Sequence, residues 1–327
     1  MTKFIRRLQR IGSSILVSLP KEWVDQHNLD KNMEVELETG QNTISITADK
    51  ESRPSKEVTI SYPLPKEENI VADITGAYLL GYDVIIVQGK STIPVEDREK
   101  IRNSMRRLVG MEIVEEDAST INVQFLLDAT TINPQKILKR MHTIVLAMFS
   151  DVMTALSTYD KSNLQTLANR DDEVNRQYFL LVRLIRSTMI DNRLVDMFNL
   201  EKIDVLDYRI AANLLESAGD TIVELANSIY LSTLSKTDLK KIHDIVKDFG
   251  KMQEKSIDAF IKNDRSIAIE AISLHKENQK KMSLLRSSLD SKNQLPIDFL
   301  DLIHMFERVE RSWADVADLV KPIYSKQ

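Results

Sequence analysis

Residues 207–227 read DYRIAANLLESAGDTIVELAN, and they decide the fold. The stretch has no proline, and its acids Glu216, Asp220 and Glu224 recur every fourth residue. On a helix that spacing puts all three on one face. Like charges at i, i+4 repel, so the ladder calls for compensation by water, arginine or a bound cation. Gly219 lies among them. Glycine inside a helix costs about 1 kcal/mol and often marks close approach of another backbone or a ligand. A second acidic patch, Asp171-Asp172-Glu173-Val174-Asn175, sits on the preceding helical stretch, with Asp171 and Asn175 on one face. If the two faces meet, Asp171, Asn175, Glu216 and Asp220 converge. Such an oxygen set suits magnesium, manganese or iron. The same spacing also fits a solvated acidic helix face.

Working outward, the breakers are unevenly spread. Six of the eight glycines lie in the first 110 residues, and no proline occurs between Pro134 and Pro296. Breakers are scarce where long helices run, so the chain divides near residue 130 into α+β before and all-α after. The first helix after that point presents Leu138, Met141, Val145, Met148 and Val152 at spacings of three and four. Six long helices are expected, at 134–158, 160–189, 203–233, 236–263, 265–289 and 296–323, with a looser connection over Ile190–Lys202. They fall into two three-helix halves, 134–233 and 236–325, inside a helical domain of 134–325. Met141, Met148 and Met153 read as core filling.

Before residue 130 the pattern is different. Residues 1–49 read as short strands: Ile15, Val17 and Leu19 alternate in SSILVSL, and further strands fit Val35–Leu37 and Thr43–Ile46. A short helix fits Pro20–His27, with Pro20 near its first turn. Fewer than about 50 residues make a poor core alone, so this unit needs a partner copy. ADKESRPSKE (48–57) reads as a linker. Residues 57–130 then read as a small α+β module, with strands at 57–62, 83–88, 112–115 and 120–125. Its helices fit 68–80 and 95–108, which implies a mixed sheet with helices on one face. Its Gly76, Gly81 and Gly89 lack the spacing of a phosphate-cradling loop.

The chain has 327 residues, 43% apolar and 28% charged, and no cysteine. Disulfides, zinc–thiolate sites and thiol catalysis are excluded. His27, His142, His243, His275 and His304 show no ligand spacing such as HxxxH. No apolar run approaches the roughly 20 residues of a bilayer span, and no signal-peptide core follows the first basic residues. A protein free of membrane insertion, in the cytoplasm, is expected. The net charge is −5, yet residues 1–21 carry Lys3, Arg6, Arg7, Arg10 and Lys21 with no acid. That is +5 on the terminus and −10 on the rest. A basic end on an acidic body suggests a local anionic partner such as nucleic acid; a solvated basic strand is the plainer alternative.

Two resemblances follow. DDEVNRQYFLLVR (171–183) and DYRIAANLLESAGDTIVELAN (207–227) resemble the two acidic helices of PhoU-family domains, in order, within a resemblance covering about 134–325. It implies tandem three-helix bundles that can each carry an acidic metal cluster. Asp171, Glu216 and Asp220 match that pattern, while Asn175 stands where the family has Asp. In the second half Glu307-Arg308-Val309-Glu310-Arg311 puts Arg311 at the acid's place. A salt bridge to Glu307 or a neighbour is expected there instead of a metal. One divalent or iron-type metal per chain is therefore the most the sequence supports. RRLQRIGSSILVSLPKEWVDQHNLDKNMEVELE (6–38) resembles the AbrB/SpoVT swapped-hairpin fold, with Asn32 at the family's usual turn glycine. Asparagine tolerates the left-handed conformation that such a turn needs. This resemblance implies an intertwined homodimer and DNA contacts. Arg6, Arg7 and Arg10 would approach bases or phosphates, and Lys3 and Lys21 phosphates.

The expected architecture is thus a swapped-hairpin β unit, an α+β module and an all-α PhoU-like domain. The function implied is a DNA-binding regulator of phosphate uptake. Its helical domain would sense a signal, a metal or a partner such as a phosphate transporter or signalling protein. The alternative is a regulatory adaptor that docks on a phosphate ABC transporter and uses the first unit only to dimerise. No nucleophile motif supports an enzyme.

Overall fold

In this computed structural model the described residues are 4–39, 42–48, 55–128, 131–290 and 297–320. Lys3 and most of the linker stretch lie outside them. The chain divides into two compact units, Met1–Ser55 and Lys56–Gln327.

The first unit holds two antiparallel ribbons and one helix. Strand β1 (Gln9–Ile11) pairs with β2 (Ser14–Leu16) across Gly12, whose φ of +61° suits a residue without a Cβ. Helix α1 spans Lys21–Gln26, and β3 (Glu36–Thr39) pairs with β4 (Ile44–Thr47). Asn32 adopts φ +72°, as the turn requires. The paired part of SSILVSL stops at Leu16, and the third strand begins one residue later than its apolar run, at Glu36.

The second unit opens with the module. In chain order it runs β5 (Glu57–Tyr62), α2 (Ile70–Leu79), β6 (Val84–Gly89), α3 (Val95–Met105), β7 (Met111–Glu116) and β8 (Thr120–Phe125). The sheet order is β5-β6-β8-β7. The β5–β6 pair is parallel and the other two are antiparallel, so the sheet is mixed. Ile85 lies opposite Val123 and Val87 opposite Ile121. All four are fully buried, in one core with Ile74 and Tyr78 of α2 and Ile101 of α3.

Helices then follow to the end. The first bundle is α4 (Pro134–Thr158), α5 (Leu167–Thr188) and α7 (Lys202–Leu231); the second is α8 (Lys236–Val246) with α9 (Phe249–Lys262), α10 (Arg265–Asp290) and α11 (Ile297–Asp318). The bundles join mainly where α11 meets α7 and where α9 meets α4. Asn133 caps α4 by accepting from the Gln135 and Lys136 N–H groups, and Pro134 fills its first turn. By length and apolar content α4 is long enough to cross a bilayer. Its stripe of Leu138, Met141, Val145, Met148 and Val152 is fully buried in the bundle, and that packing accounts for its hydropathy.

Three expectations need correction. The helix read from 160 starts as a 3-10 turn, Ser162–Thr166, and becomes α-helical only at Leu167. The single helix read over 236–263 is two, interrupted where the Lys251 N–H reaches only to the Asp248 carbonyl. The connection 190–202 contains a further helix, α6 (Asn192–Met197). None of these breaks involves proline, so no local signal marks them.

Helix α5 has two working faces. One packs into the bundle through Val174 and Leu181. The other carries Asp172, Arg176, Phe179 and Arg183, at i, i+4, i+7 and i+11, towards the module. Phe179 packs against the module core. Arg183 is 3% exposed; its guanidinium donates to the carbonyls of Tyr78 at 2.8 Å and Tyr82 at 2.7 Å, and to Asp83 at 2.8 Å. It also lies 3.9 Å from the centre of the Phe125 ring. Removing one partner of such a buried pair costs about 3–5 kcal/mol. Arg183→Ala is expected to lower unfolding stability by about that much, measured by urea denaturation. Arg183→Lys should recover only part, because a compact ammonium does not reproduce the planar fork that spans Tyr78, Tyr82 and Asp83. Stability unchanged in the Ala variant would mean that the module is held by other contacts.

Candidate functional site

Two groups of residues carry the chemistry, one in each unit. In the first unit Arg6, Arg7, Arg10 and Lys21 are exposed, and none has an ion pair among the described residues. Arg6 lies over the Phe4 ring, 5.5 Å from its centre. Arg10 stands opposite Ile15 in the β1–β2 ladder. No described residue of this unit is buried. Ile5, Leu8, Ile11, Ile15, Leu37 and Ile44 are each more than half exposed. These apolar side chains are thus left in water, next to a basic segment without ion pairs among the described residues.

In the second unit α5 and α7 bring the four sequence-predicted residues towards one another. The Asn175 amide donates to Asp171 Oδ2 at 3.1 Å. Asp171 Oδ1 is buried and accepts no hydrogen bond. Burial, then the carboxylates of Asp220, Glu216 and Asp172, push the Asp171 carboxyl up to about 7. Burial and Asp220 also raise Glu216, against the opposing charge of Arg209. Gly219 explains the close approach: a Cβ there would stand 2.9 Å from Asp171 Oδ1. The neighbour that the glycine admits is therefore the carboxylate of α5.

The remaining acids of both patches point elsewhere and are paired. Glu224 accepts from Arg308 of α11 at 2.9 Å, so the third rung of the ladder is compensated by arginine. Glu173 holds Arg140 at 2.7 Å and Arg176 at 3.0 Å, and Asp172 lies 3.9 Å from Arg107. Among the described residues no group of three or more His, Asp or Glu side chains stands ready to hold a metal ion. The neutraliser that this geometry accommodates directly is a proton on Asp171. The donors, all oxygen, are of the type that hard cations take.

The second bundle solves the same charge problem internally. By the motif register that sets Arg311 at the place of Asp220, α11 carries Glu310 at the place of Gly219, and Glu310 is 1% exposed. It accepts from Asn278 at 3.2 Å and meets His275 Nδ1 at 2.8 Å. Burial raises the Glu310 carboxyl, while His275 and Asn278 pull it down. The salt bridge expected for Glu307 is made with Arg286 of α10, not with Arg311. The sequence reading missed Arg183, His275 and Glu310. Only Glu310 left a signal, as a second acid beside the expected one.

Residues 138–229, spanning α4 to α7, match the family model of the PhoU domain. Residues 8–54 match the family described as antidote-toxin recognition MazE, bacterial antitoxin. The chain therefore combines an N-terminal unit of the MazE/AbrB kind with a PhoU domain. Among solved structures it is similar to the phosphate transport system regulatory protein PhoU from Streptococcus pneumoniae. Identity is 18%, the TM-score 0.47, and the match covers 57% of this chain and 91% of that one. PhoU from Pseudomonas aeruginosa is similar at 16% identity and a TM-score of 0.42, covering 57% and 93%. No curated protein matches the chain in sequence.

The Asp171 cluster has a consequence for pH. Folded, Asp171 keeps its proton up to about pH 7; in an unfolded chain aspartate loses it at about 3.9. Between those values the folded state binds more protons. Stability from this group therefore falls as pH rises through the window and levels off above it. Asp171→Asn is expected to flatten that decline and to raise the urea midpoint above pH 7. An identical pH profile in the variant would show that Asp171 is ionised throughout.

Proposed function

We propose that the chain is a cytoplasmic, homodimeric transcriptional regulator of phosphate homeostasis that binds DNA through its N-terminal unit. The single observation that carries this reading is the unit itself: an exposed basic segment without ion pairs among the described residues, beside apolar side chains that one copy leaves exposed. A second copy would cover the apolar residues and double the positive charge. Arg6, Arg7 and Arg10 would then offer six guanidinium groups to phosphates or base edges, with Lys21 and Lys3 at the flanks. The PhoU domain supports the phosphate side of the reading, because the matched relative from Streptococcus pneumoniae is described as a regulator of phosphate transport. The helical domain would act as the receiver of a signal, and the chain as a regulator, not a catalyst.

A cation at the acidic cluster belongs to this proposal. Asp171, Glu216 and Asp220, with Asn175, would hold it, and it would supply the positive charge that the proton on Asp171 otherwise provides. Adding manganese(II) above pH 7 is expected to raise the urea midpoint of the native chain, and to leave that of Asp171→Asn unmoved. Equal shifts in both would place any metal elsewhere.

The DNA reading is tested by anisotropy titration of a labelled duplex from upstream of phosphate-transport genes. With six phosphate contacts the plot of log affinity against log salt should have a slope of about −5. Arg6→Ala/Arg7→Ala/Arg10→Ala should abolish binding while the dimer persists by sedimentation. A dimer that binds no duplex even at low salt would favour the adaptor, docked on a phosphate transporter.

A further inference from the structure

Between α3 of the module and α5 of the first bundle lies a hollow of about 590 Å³. Its polar walls are Lys100, Asn103, Arg106, Arg107, Asp172 and Arg176. Four cations thus face one carboxylate. Asp172 engages only Arg107, at 3.9 Å, and both side chains are well exposed. Lys100 is held by Asp97 on its own helix at 2.8 Å. Arg106 has no ion pair or side-chain hydrogen bond among the described residues. Arg176 gives one terminal nitrogen to Glu173, while its Nε is buried and has no acceptor. Arg106 and Arg176 also line a second hollow of about 590 Å³ against β7.

Cations gathered at a helix C-terminus are often there for the helix dipole, and that accounts for Arg102 in the last turn of α3. It does not account for Arg176, which comes from a different helix and turns into the same space. Two guanidinium groups from separate elements, one without an ion pair and one held by Glu173 through a single terminal nitrogen, present terminal N–H groups of the kind that grip phosphate oxygens. Lys100 adds a point charge beside them. The volume is that of a small-molecule site, which runs from about 300 to 1,000 Å³.

We propose that this hollow binds a small phosphorylated anion, of the size of pyrophosphate or a nucleotide, through Arg106, Arg176 and Lys100. The inference deepens the proposed function by naming the chemical class of the signal, and it rests on that reading only for its biological sense. A nucleic-acid backbone is disfavoured here. The rim carries Glu112, Glu115 and Glu116 as well as Asp172, and a duplex with a charge about every 1.7 Å would meet those acids as well as the arginines. A compact ligand would sit one and two turns along α5 from Asp171 and Arg183. Binding would thus bear directly on the helix that carries both the acidic cluster and the module's anchor.

The test is calorimetric titration of the full chain with inorganic phosphate, pyrophosphate and ATP, each at constant ionic strength, with sulfate as the charge control. Saturable binding of pyrophosphate or ATP, weakened about tenfold or more in Arg106→Gln, is the expected result. Arg106 has no partner to lose, so that variant should melt as the native chain does. Arg176→Gln should show the same loss, and Lys240→Gln on distant α8 none. Absence of saturable binding to any phosphate compound overturns the proposal. So does binding that Arg106→Gln leaves unchanged, or sulfate binding as tight as pyrophosphate. Loss of duplex affinity in Arg106→Gln without any small-anion binding would overturn it too, and give the surface to DNA. The duplex assay with the Arg6/Arg7/Arg10 variant reads the first unit separately, so either reading can fail alone.

Discussion

The guanidinium of Arg183 fixes how the α+β module meets the helices. A buried cation is tolerated only when its charge and its N–H groups are met. Arg183 meets both conditions with residues about a hundred positions away. Two of its acceptors, the carbonyls of Tyr78 and Tyr82, lie where α2 ends and the chain turns towards β6. The Tyr78 carbonyl also accepts from the Gly81 N–H at 3.0 Å, so the arginine adds a charged second donor where the helix ends. Asp83 in turn accepts from the backbone N–H of Lys56 at 2.9 Å, so the clamp reaches the start of β5. Module and helices form one compact unit around this contact.

The same helix face explains why the chemistry clusters along α5. Arg183, Phe179, Arg176 and Asp172 follow the helical repeat towards the module, while Asp171 and Val174 turn to α7. One helix therefore carries an anchor, the wall of a basic hollow and half of an acidic cluster. A change in charge at any of them falls on a helix shared by the others. That is the physical basis on which a signal at the helices could reach the module.

The two bundles treat one packing problem in opposite ways. In the first, Gly219 leaves space and a carboxylate from the neighbouring helix enters it, one positive charge short. In the second, Glu310 grows from the matching position and brings its own partners, His275 and Asn278. The first arrangement leaves a carboxyl that burial and its acidic neighbours hold protonated, while the second is closed by side chains. The PhoU match ends at residue 229, before the second bundle begins.

The sequence by itself determined the order of strands and helices up to residue 130, the all-α second part, the acidic ladder, the left-handed Asn32 and the basic terminus. These depend on local periodicity, on breakers and on charge counts, which neighbouring residues settle among themselves. It also led to the expectation that residues 1–49 need a partner copy, and no described residue of that unit is fully buried. Tertiary structure alone decided which acids stay together and which are taken by arginines. Glu224 went to Arg308 and Glu307 to Arg286, across 84 and 21 residues of chain. It decided that Gly219 admits a carboxylate, that Arg183 is an anchor and that Arg106 and Arg176 share a hollow. Contacts of this kind depend on which faces meet after packing. In the one-dimensional pattern a buried arginine and a solvated one look the same.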